Sequence, residues 1–364
     1  MFANRRRLHP NRESARYADA MGPSPLTLAA LASAAAPSIT IVGSEPWPSD
    51  GEHEGAVLTT ADGGKVLVRV PVTPLGEMRR ATEGRTLSAF TPAVRERLPF
   101  ALPEILGEER IGDAHVVVSR ILAGEPLHLH QLRPGETLAM SIGHSLAALH
   151  SLPVSVVAEA GLPLNNPGEC LRASVAVLDR AESTGLVPAA LLERWDRVLT
   201  TGELWQFPPS VIHAALSPEL VLVENDIVVG MTDWGSLQVG DPASDLAWLL
   251  AGTAPGVTET AFDAYWVARQ VPVDREFRIR ARFYAELELA KWLLHGQDVD
   301  DADIVEDAIQ MLTALEERVA DEPAPLVATT SQPLGLDEVR AMLSQQHPSI
   351  YAPAPRAAST PTAE

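Results

Sequence analysis

Two periods of apolar residues divide this chain. Lys65-Val66-Leu67-Val68-Arg69-Val70-Pro71 alternates basic and apolar positions before a proline stop, and Gly63-Gly64 stands in front of it. That predicts a strand entered from a hairpin turn, with Lys65 and Arg69 on one partly polar face. His115 to Leu122, HVVVSRIL, is an unbroken apolar run of the buried-strand type. Val221-Leu222-Val223 and the β-branched run Ile227 to Met231 flank the turn pair Asn225-Asp226, which predicts a second hairpin. Elsewhere the spacing is three and four residues: Glu77 to Phe90 through Met78, Ala81, Thr86, Leu87 and Phe90, and Ser141 to Leu152 through Ile142, Leu146, Leu149 and Leu152. Gly84 is a weak point in the first of these helices. Pro188 to Leu199, Thr258 to Arg269, Arg275 to Leu294 and Ala302 to Val319 repeat the pattern, and Pro188 suits a first helical turn. Apart from the second hairpin, the chain from Cys170 to Ala320 reads as helix, so the fold class is α+β.

The second hairpin runs into Asp233-Trp234-Gly235. A carboxylate at the end of a rigid strand, close to a glycine, suits a hard cation such as Mg²⁺ in an open site; a turn or cap aspartate is the plainer reading of the same spacing. Around it, Val211 to Leu250 reads VIHAALSPELVLVENDIVVGMTDWGSLQVGDPASDLAWLL. This stretch resembles the core of the aminoglycoside and macrolide phosphotransferases, small-molecule kinases of the protein-kinase-like fold. Their core reads His-Gly-Asp-Leu-x-x-x-Asn, then a strand hairpin and Ile-Asp-Trp/Phe-Gly.

His213 and Leu216 fall on that pattern, Pro218 on its frequent turn proline, and Asp233-Trp234-Gly235 on its metal-binding motif. Gly240-Asp241-Pro242-Ala243-Ser244-Asp245-Leu246-Ala247 matches the start of the following helix. The resemblance implies a bilobal molecule with a β-rich lobe over residues 25–122 and a larger helical lobe over 123–320. It implies a structural His213, and Asp241 and Asp245 that hold the catalytic loop and cap a helix.

Two positions depart from the pattern. Ala215 stands where the family has the aspartate that accepts the substrate proton, and Leu220 where it has the asparagine that holds a metal ion. Alanine offers no side-chain lone pair and leucine cannot coordinate Mg²⁺. Glu219 and Glu224 are neighbouring acids that invite recruitment as substitutes, although a solvated turn carboxylate explains each more simply.

By the same resemblance Arg69, just before a proline, takes the role of the cation on the ATP phosphates. Glu83, fourteen residues later, takes that of its helical partner. An exposed edge strand and an ordinary surface glutamate are the competing readings. No Gly-x-Gly-x-x-Gly loop precedes them. Asp50-Gly51-Glu52-His53-Glu54-Gly55 occupies the corresponding place, and its acids make a poor phosphate cradle. Ala123-Gly124-Glu125-Pro126 resembles the hinge between the lobes. His150, in Ala-Leu-His-x-Leu, is expected to be a packed structural histidine, with no second His or Cys at a ligand spacing. Trp195, Trp205, Trp248, Trp266 and Trp292 are expected in the core.

Composition narrows the partners. The formal charge of −20 over 364 residues argues against nucleic acid and acidic membrane surfaces, and no stretch reaches the length of a membrane span. The one cysteine, Cys170, permits no internal disulfide, which points to a reducing cytoplasm. Arg5-Arg6-Arg7 ahead of LTLAALASAAA at 26–36 imitates a secretory signal poorly, because the basic cluster lies far upstream; a helix is the better expectation, with Met21 as an alternative start. Residues 1–24 are expected to be a disordered extension and 321–364 a mostly disordered tail with one short helix at 334–346.

Three functions follow for this chain. The first is a degenerate kinase, or pseudokinase, that keeps the fold and with it ATP and Mg²⁺ binding, and acts as a binding or regulatory protein on a small-molecule ligand or protein partner. The alternative is an active ATP-dependent phosphotransferase of a small-molecule hydroxyl that uses a relocated carboxylate. The third is a scaffold without a nucleotide site, in which Asp233 only caps a turn.

Overall fold

Ser24 accepts the Thr27 N–H at 3.2 Å, and Pro25 in the first turn fixes the start of helix α1 (Pro25–Ala35). The structure, a computed structural model, describes residues 24–48, 51–112, 114–254, 256–272, 274–320 and 326. The expected extension before residue 24 and the tail helix at 334–346 lie outside them.

Strands β1 (Ile41–Trp47), β2 (His53–Thr60), β3 (Lys65–Pro71), β4 (Ile105–Ile111) and β5 (Ala114–Arg120) form one antiparallel sheet in the order β1-β2-β3-β5-β4. Gly63, at φ +84°, makes the β2–β3 turn that the glycine pair predicts. Val66, Val68 and Val70 on one face of β3 pack with Ala56, Leu58, Val116 and Val118 beneath Leu28 and Ala32 of α1. Lys65, Leu67 and Arg69 line the other face. The sequence reading omits β1 and β4. Both are sheet edges with polar runs such as Gly107-Glu108-Glu109-Arg110, where partial exposure blurs the two-residue period.

Helix α2 (Pro74–Ala89) begins three residues earlier than its apolar period suggests, because Thr73 caps the Gly76 N–H at 3.0 Å and Pro74 fills the first turn. Gly84 sits inside it facing open space, so the glycine costs helix propensity and no packing. After the short α3 (Pro92–Arg95), Ala101 bonds to Val229 and ties this segment to the second hairpin.

The link out of β5 becomes β6 (Glu125–Pro126), which pairs with β8 (Val221–Glu224); β8 pairs with β9 (Ile227–Met231). Gly124 is required there. Its φ is +92°, and a Cβ would lie 2.6 Å from Val229 Cγ2 and 3.0 Å from the Val223 carbonyl. Asn225 and Asp226, at φ +51° and +60°, make the expected tight turn.

The rest is helical: α4 (Thr137–His150), α5 (Ser155–Glu159), α6 (Pro167–Ser183), α7 (Ala189–Thr200), α8 (Ala247–Gly252), α9 (Val257–Arg269), α10 (Phe277–Asp298) and α11 (Ala302–Ala320). Pro188 is the residue before α7, one position earlier than expected. Gly143 lets α4 lie against α9, since a Cβ would come within 2.2 Å of the Ala261 carbonyl. Trp195, Trp205 and Trp248 are buried in this second core, and Trp266 and Trp292 pack partly against it. No helix among the described residues is long and apolar enough to cross a membrane. The molecule is the expected α+β arrangement, a β-sheet region followed by a mostly helical part.

Candidate functional site

His213 follows β7 (Ser210–Ile212), which pairs with β10 (Gln238–Gly240) just before Asp241. This pairing brings the start of the 211–220 loop against the 241–246 turn. Asp245 is 1% exposed and accepts three N–H bonds: from His213 N at 2.7 Å, from Ala214 N at 2.8 Å and from His150 Nε2 at 3.1 Å. His213 is fully buried, with Nε2 2.9 Å from the Thr232 carbonyl and its ring against Trp234. Asp241 caps its own turn at Ala243 N and pairs with the buried Arg280 at 2.6 Å, and Asp274 meets the same guanidinium at 2.6 Å. Asp245 thus fixes the loop's backbone, and the Asp241–Arg280 pair fixes the turn that carries Asp245.

His150 is enclosed between Asp245 and the Tyr265 hydroxyl, which lies 2.9 Å from Nδ1. Burial pulls its pKa below the ordinary imidazole value against the pull of Asp245, so it is neutral, donating from Nε2 and accepting at Nδ1. Burial alone would raise the Asp245 carboxyl; the hydrogen bonds it accepts from His150 and from the His213 backbone outweigh it and hold that carboxyl low.

The loop itself is strained. Ala214 sits at φ +67°, a left-handed conformation that costs a Cβ-bearing residue roughly 1–2 kcal/mol. It occupies the glycine of the resembled His-Gly-Asp pattern, and the Asp245 clamp holds its backbone in place. Next to it Ala215 is exposed, a methyl group where a proton acceptor would stand. Leu220 is half-buried on the 218–220 turn, its carbonyl taken by Thr232 N at 3.0 Å. Glu219 lies exposed on the same turn, between the two altered positions, whereas Glu224 lies at the far, turn end of β8.

Asp233 lies beyond β9 at φ +62°, ψ +62°, and its carboxylate accepts no capping bond from the turn it opens. The capping role that its spacing allows is therefore not what it does here. A divalent hard cation wants about six oxygen ligands. Here the donor set is one exposed carboxylate opposite a hydrocarbon side chain, and no group of three metal-ligating side chains occurs among the described residues. These residues do not fit a metal-ion pair.

Across from Asp233, α2 packs against the 234–236 turn, and the Arg79 carbonyl lies 3.8 Å from where a Gly235 Cβ would be. Arg69 and Glu83 are brought together, as their spacing suggests, but at 3.5 Å. A closer partner intervenes: Arg80, 3% exposed, meets the same carboxylate oxygen of Glu83 at 2.6 Å. Burial pulls the Arg80 guanidinium below its ordinary range, and Arg69 pushes the same way; Glu83 and, more weakly, Glu108 and then Asp233 pull it back. Glu83 Oε1 is buried without a hydrogen-bond partner. The hairpin tip at 51–52 is tied to the same helix: Val72 N bonds the Glu52 carbonyl at 2.8 Å, and Arg79 pairs with the Glu52 carboxylate at 2.8 Å. Gly76 permits this, since a Cβ would fall 2.5 Å from the Glu52 carbonyl oxygen.

The model of the phosphotransferase enzyme family matches residues 46–280, well over half of the chain. The chain belongs to that family. Its fold is similar to that of the macrolide 2′-phosphotransferase MphH from Brachybacterium faecium, with 25% identity, a TM-score of 0.67, and coverage of 79% of this chain and 98% of that one. A macrolide 2′-phosphotransferase type I gives 24% identity and a TM-score of 0.66, covering 82% and 96%. The GDP complex of an aminoglycoside 2′-phosphotransferase-IIIa gives 19% and 0.67, covering 81% and 99%. The uncharacterized protein YcbJ of Bacillus subtilis is 28% identical over 130 residues, 35% of this chain and 42% of its own length.

Among the residues gathered here in this family member, the sequence motifs point to Asp233, Ala215, Leu220, Arg69 and Glu83. They miss Arg80, Arg280 and the strained Ala214. Arg80 reads as one of two adjacent surface arginines, and only the packing of α2 on the 234–236 turn buries it. The signal for Ala214 was available, since it occupies the glycine of the motif.

Proposed function

We propose that this phosphotransferase-family protein is catalytically degenerate, a pseudokinase that binds a nucleotide between its sheet and its helical part and acts as a binding or regulatory protein. The observation that carries this reading is the contrast within one loop. The frame around His213 and Ala214 is clamped by a fully hydrogen-bonded Asp245, yet the side chains it would present, Ala215 and Leu220, have no chemistry. A general base contributes about 10²- to 10⁴-fold in rate. Phosphoryl transfer depends further on charge neutralisation, and Leu220 removes a second contributor. The retained arginine and glutamate of the sheet side, Arg69 and Glu83, support nucleotide binding. Solved relatives in the family have been captured with GDP, ADP and ATP.

Thermal unfolding of the full-length protein with ATP or GTP, with and without Mg²⁺, tests the nucleotide site, because a ligand that binds only the folded state raises Tm. No shift with either nucleotide in either condition sinks the reading in favour of a bare scaffold. The degenerate loop is tested by the double substitution Ala215→Asp, Leu220→Asn. Assayed with Mg²⁺, it is expected to raise ATP hydrolysis by at least about 100-fold over the parent, the low end of what a base supplies. A double variant that binds ATP and hydrolyses none of it refutes these two positions as the whole lesion.

The exposed Glu219, next to Leu220 on the 218–220 turn, supports one other reading, an active kinase of a small-molecule hydroxyl with a relocated carboxylate. Parent activity abolished by Glu219→Gln would establish it, and an inactive parent excludes it.

A further inference from the structure

Arg80 has no place in the pattern of conserved kinase chemistry that the motifs suggest, yet it is the most buried ionised group on the sheet side of the site. Its side chain is 3% exposed, it lies on a helix packed directly on the Asp233-Trp234-Gly235 turn, and Glu83 meets it at 2.6 Å, nearer than Glu83 meets Arg69. Burying a guanidinium costs several kcal/mol unless other groups compensate. Glu83, with one oxygen shared by two arginines and the other unpartnered, compensates only in part.

We infer that Arg80 supplies, beside Asp233, the fixed positive charge that a divalent cation would otherwise bring, so that this protein binds nucleotide polyphosphate without metal. The inference rests on the nucleotide-binding reading above. The charges support it in three ways. Arg80 meets Glu83 at 2.6 Å and feels the charges of Glu108 and, more weakly, Asp233, so a protein cation already offsets part of the Asp233 charge. The other metal ligand is replaced by Leu220, which leaves a divalent ion one protein carboxylate and a guanidinium nearby that repels it. Finally, a guanidinium donates directionally to phosphate oxygens, and Arg69, about a quarter exposed, is placed to do so.

The decisive variant is Asp233→Asn, because the two accounts give it opposite signs. Asp233 is exposed and makes no capping bond, and asparagine tolerates its left-handed backbone, so the variant is expected to fold. If Asp233 carries a metal that carries the nucleotide, the substitution abolishes binding. If Arg80 is the cation, it removes a repelling carboxylate, and ATP binding measured calorimetrically in EDTA tightens. The full-length parent should bind ATP in EDTA within about threefold of its affinity in Mg²⁺, a difference of under 1 kcal/mol. Arg80→Met should weaken binding by about 10-fold or more, roughly one lost charge-assisted contact, while Arg80→Lys retains most of it. Tm of each variant without ligand separates a folding defect from a binding defect.

Binding that appears only with Mg²⁺ and disappears in Asp233→Asn overturns this inference and leaves nucleotide binding standing. Absence of ATP and GTP binding under all conditions overturns both.

Discussion

Ala214 concentrates the residue-scale question. It holds φ +67° between two backbone bonds to a buried carboxylate, a conformation that glycine adopts freely and alanine does not. Strain of this kind persists only where the surroundings over-determine it, and Asp245 does so here. Ala214→Gly should therefore stabilise the protein by about 1 kcal/mol, the usual net penalty of an alanine at positive φ. Denaturant unfolding measures this directly; an unchanged or lower midpoint at constant slope would mean that the loop has relaxed away from this geometry. Asp233 is the second strained residue, at φ +62° with no capping bond to account for it. These two strained non-glycine residues, Ala214 and Asp233, lie on either side of the segment that carries Ala215 and Leu220.

At the scale of elements, legibility in the sequence followed exposure on two sides. The β8–β9 hairpin was readable because Asn225-Asp226 marks its turn and both strands are apolar, and β3 because one of its faces is buried and the other is not. The edge strands β1 and β4 were not, since Gly43, Glu45, Pro46 and Glu108-Glu109-Arg110 carry no two-residue period. Arg80 and Arg280 were illegible for a different reason. A helical arginine reads as solvated, and its burial comes from elements far away in sequence, the 234–236 turn for Arg80 and Asp241 for Arg280.

The junction of α4, α9 and the 241–246 turn also carries a pH dependence. His150 is fully buried and held neutral, so its folded pKa lies below the ordinary 6.5. Below that value the unfolded chain takes up a proton that the native one refuses, and stability falls with pH through this window. Asp245, also held low, adds a second loss only as pH drops below 3.8. Thermal unfolding between neutral pH and pH 5 should show the first loss. His150→Asn, less stable at neutral pH for want of the Tyr265 and Asp245 contacts, should lose less over that interval. An equal loss in both proteins would assign the effect to other groups.

At the scale of the whole molecule, two apolar cores stand out among the described residues. One joins α1 to the five-stranded sheet through Leu28, Ala32, Ala56, Leu58, Val66, Val68, Val70, Val116 and Val118; the other runs through the helical part and includes Trp195, Trp205, Trp234 and Trp248. Cores that share few side chains open separately, each with its own free energy. Six of the seven tryptophans, all except Trp47, belong to the helical side of this division or its hairpin, so tryptophan emission reports mainly on the larger core. Leu28 is 1% exposed at the centre of the smaller one. Leu28→Ala should cost the sheet about 2–5 kcal/mol, the usual price of a leucine cavity. Hydrogen exchange should then quicken at the amides of β2, β3 and β5, while the fluorescence-detected unfolding of the helical part stays near the parent's. If the proposed nucleotide is held by Arg69 and Arg80 on one side and by the 233–236 turn on the other, it bridges both cores. Saturating ATP should therefore slow exchange in the sheet of the Leu28→Ala protein by coupling its opening to that of the larger core. A single transition that moves all probes together would instead show that α2, packed on the 234–236 turn, already fuses the two cores into one cooperative unit without any ligand.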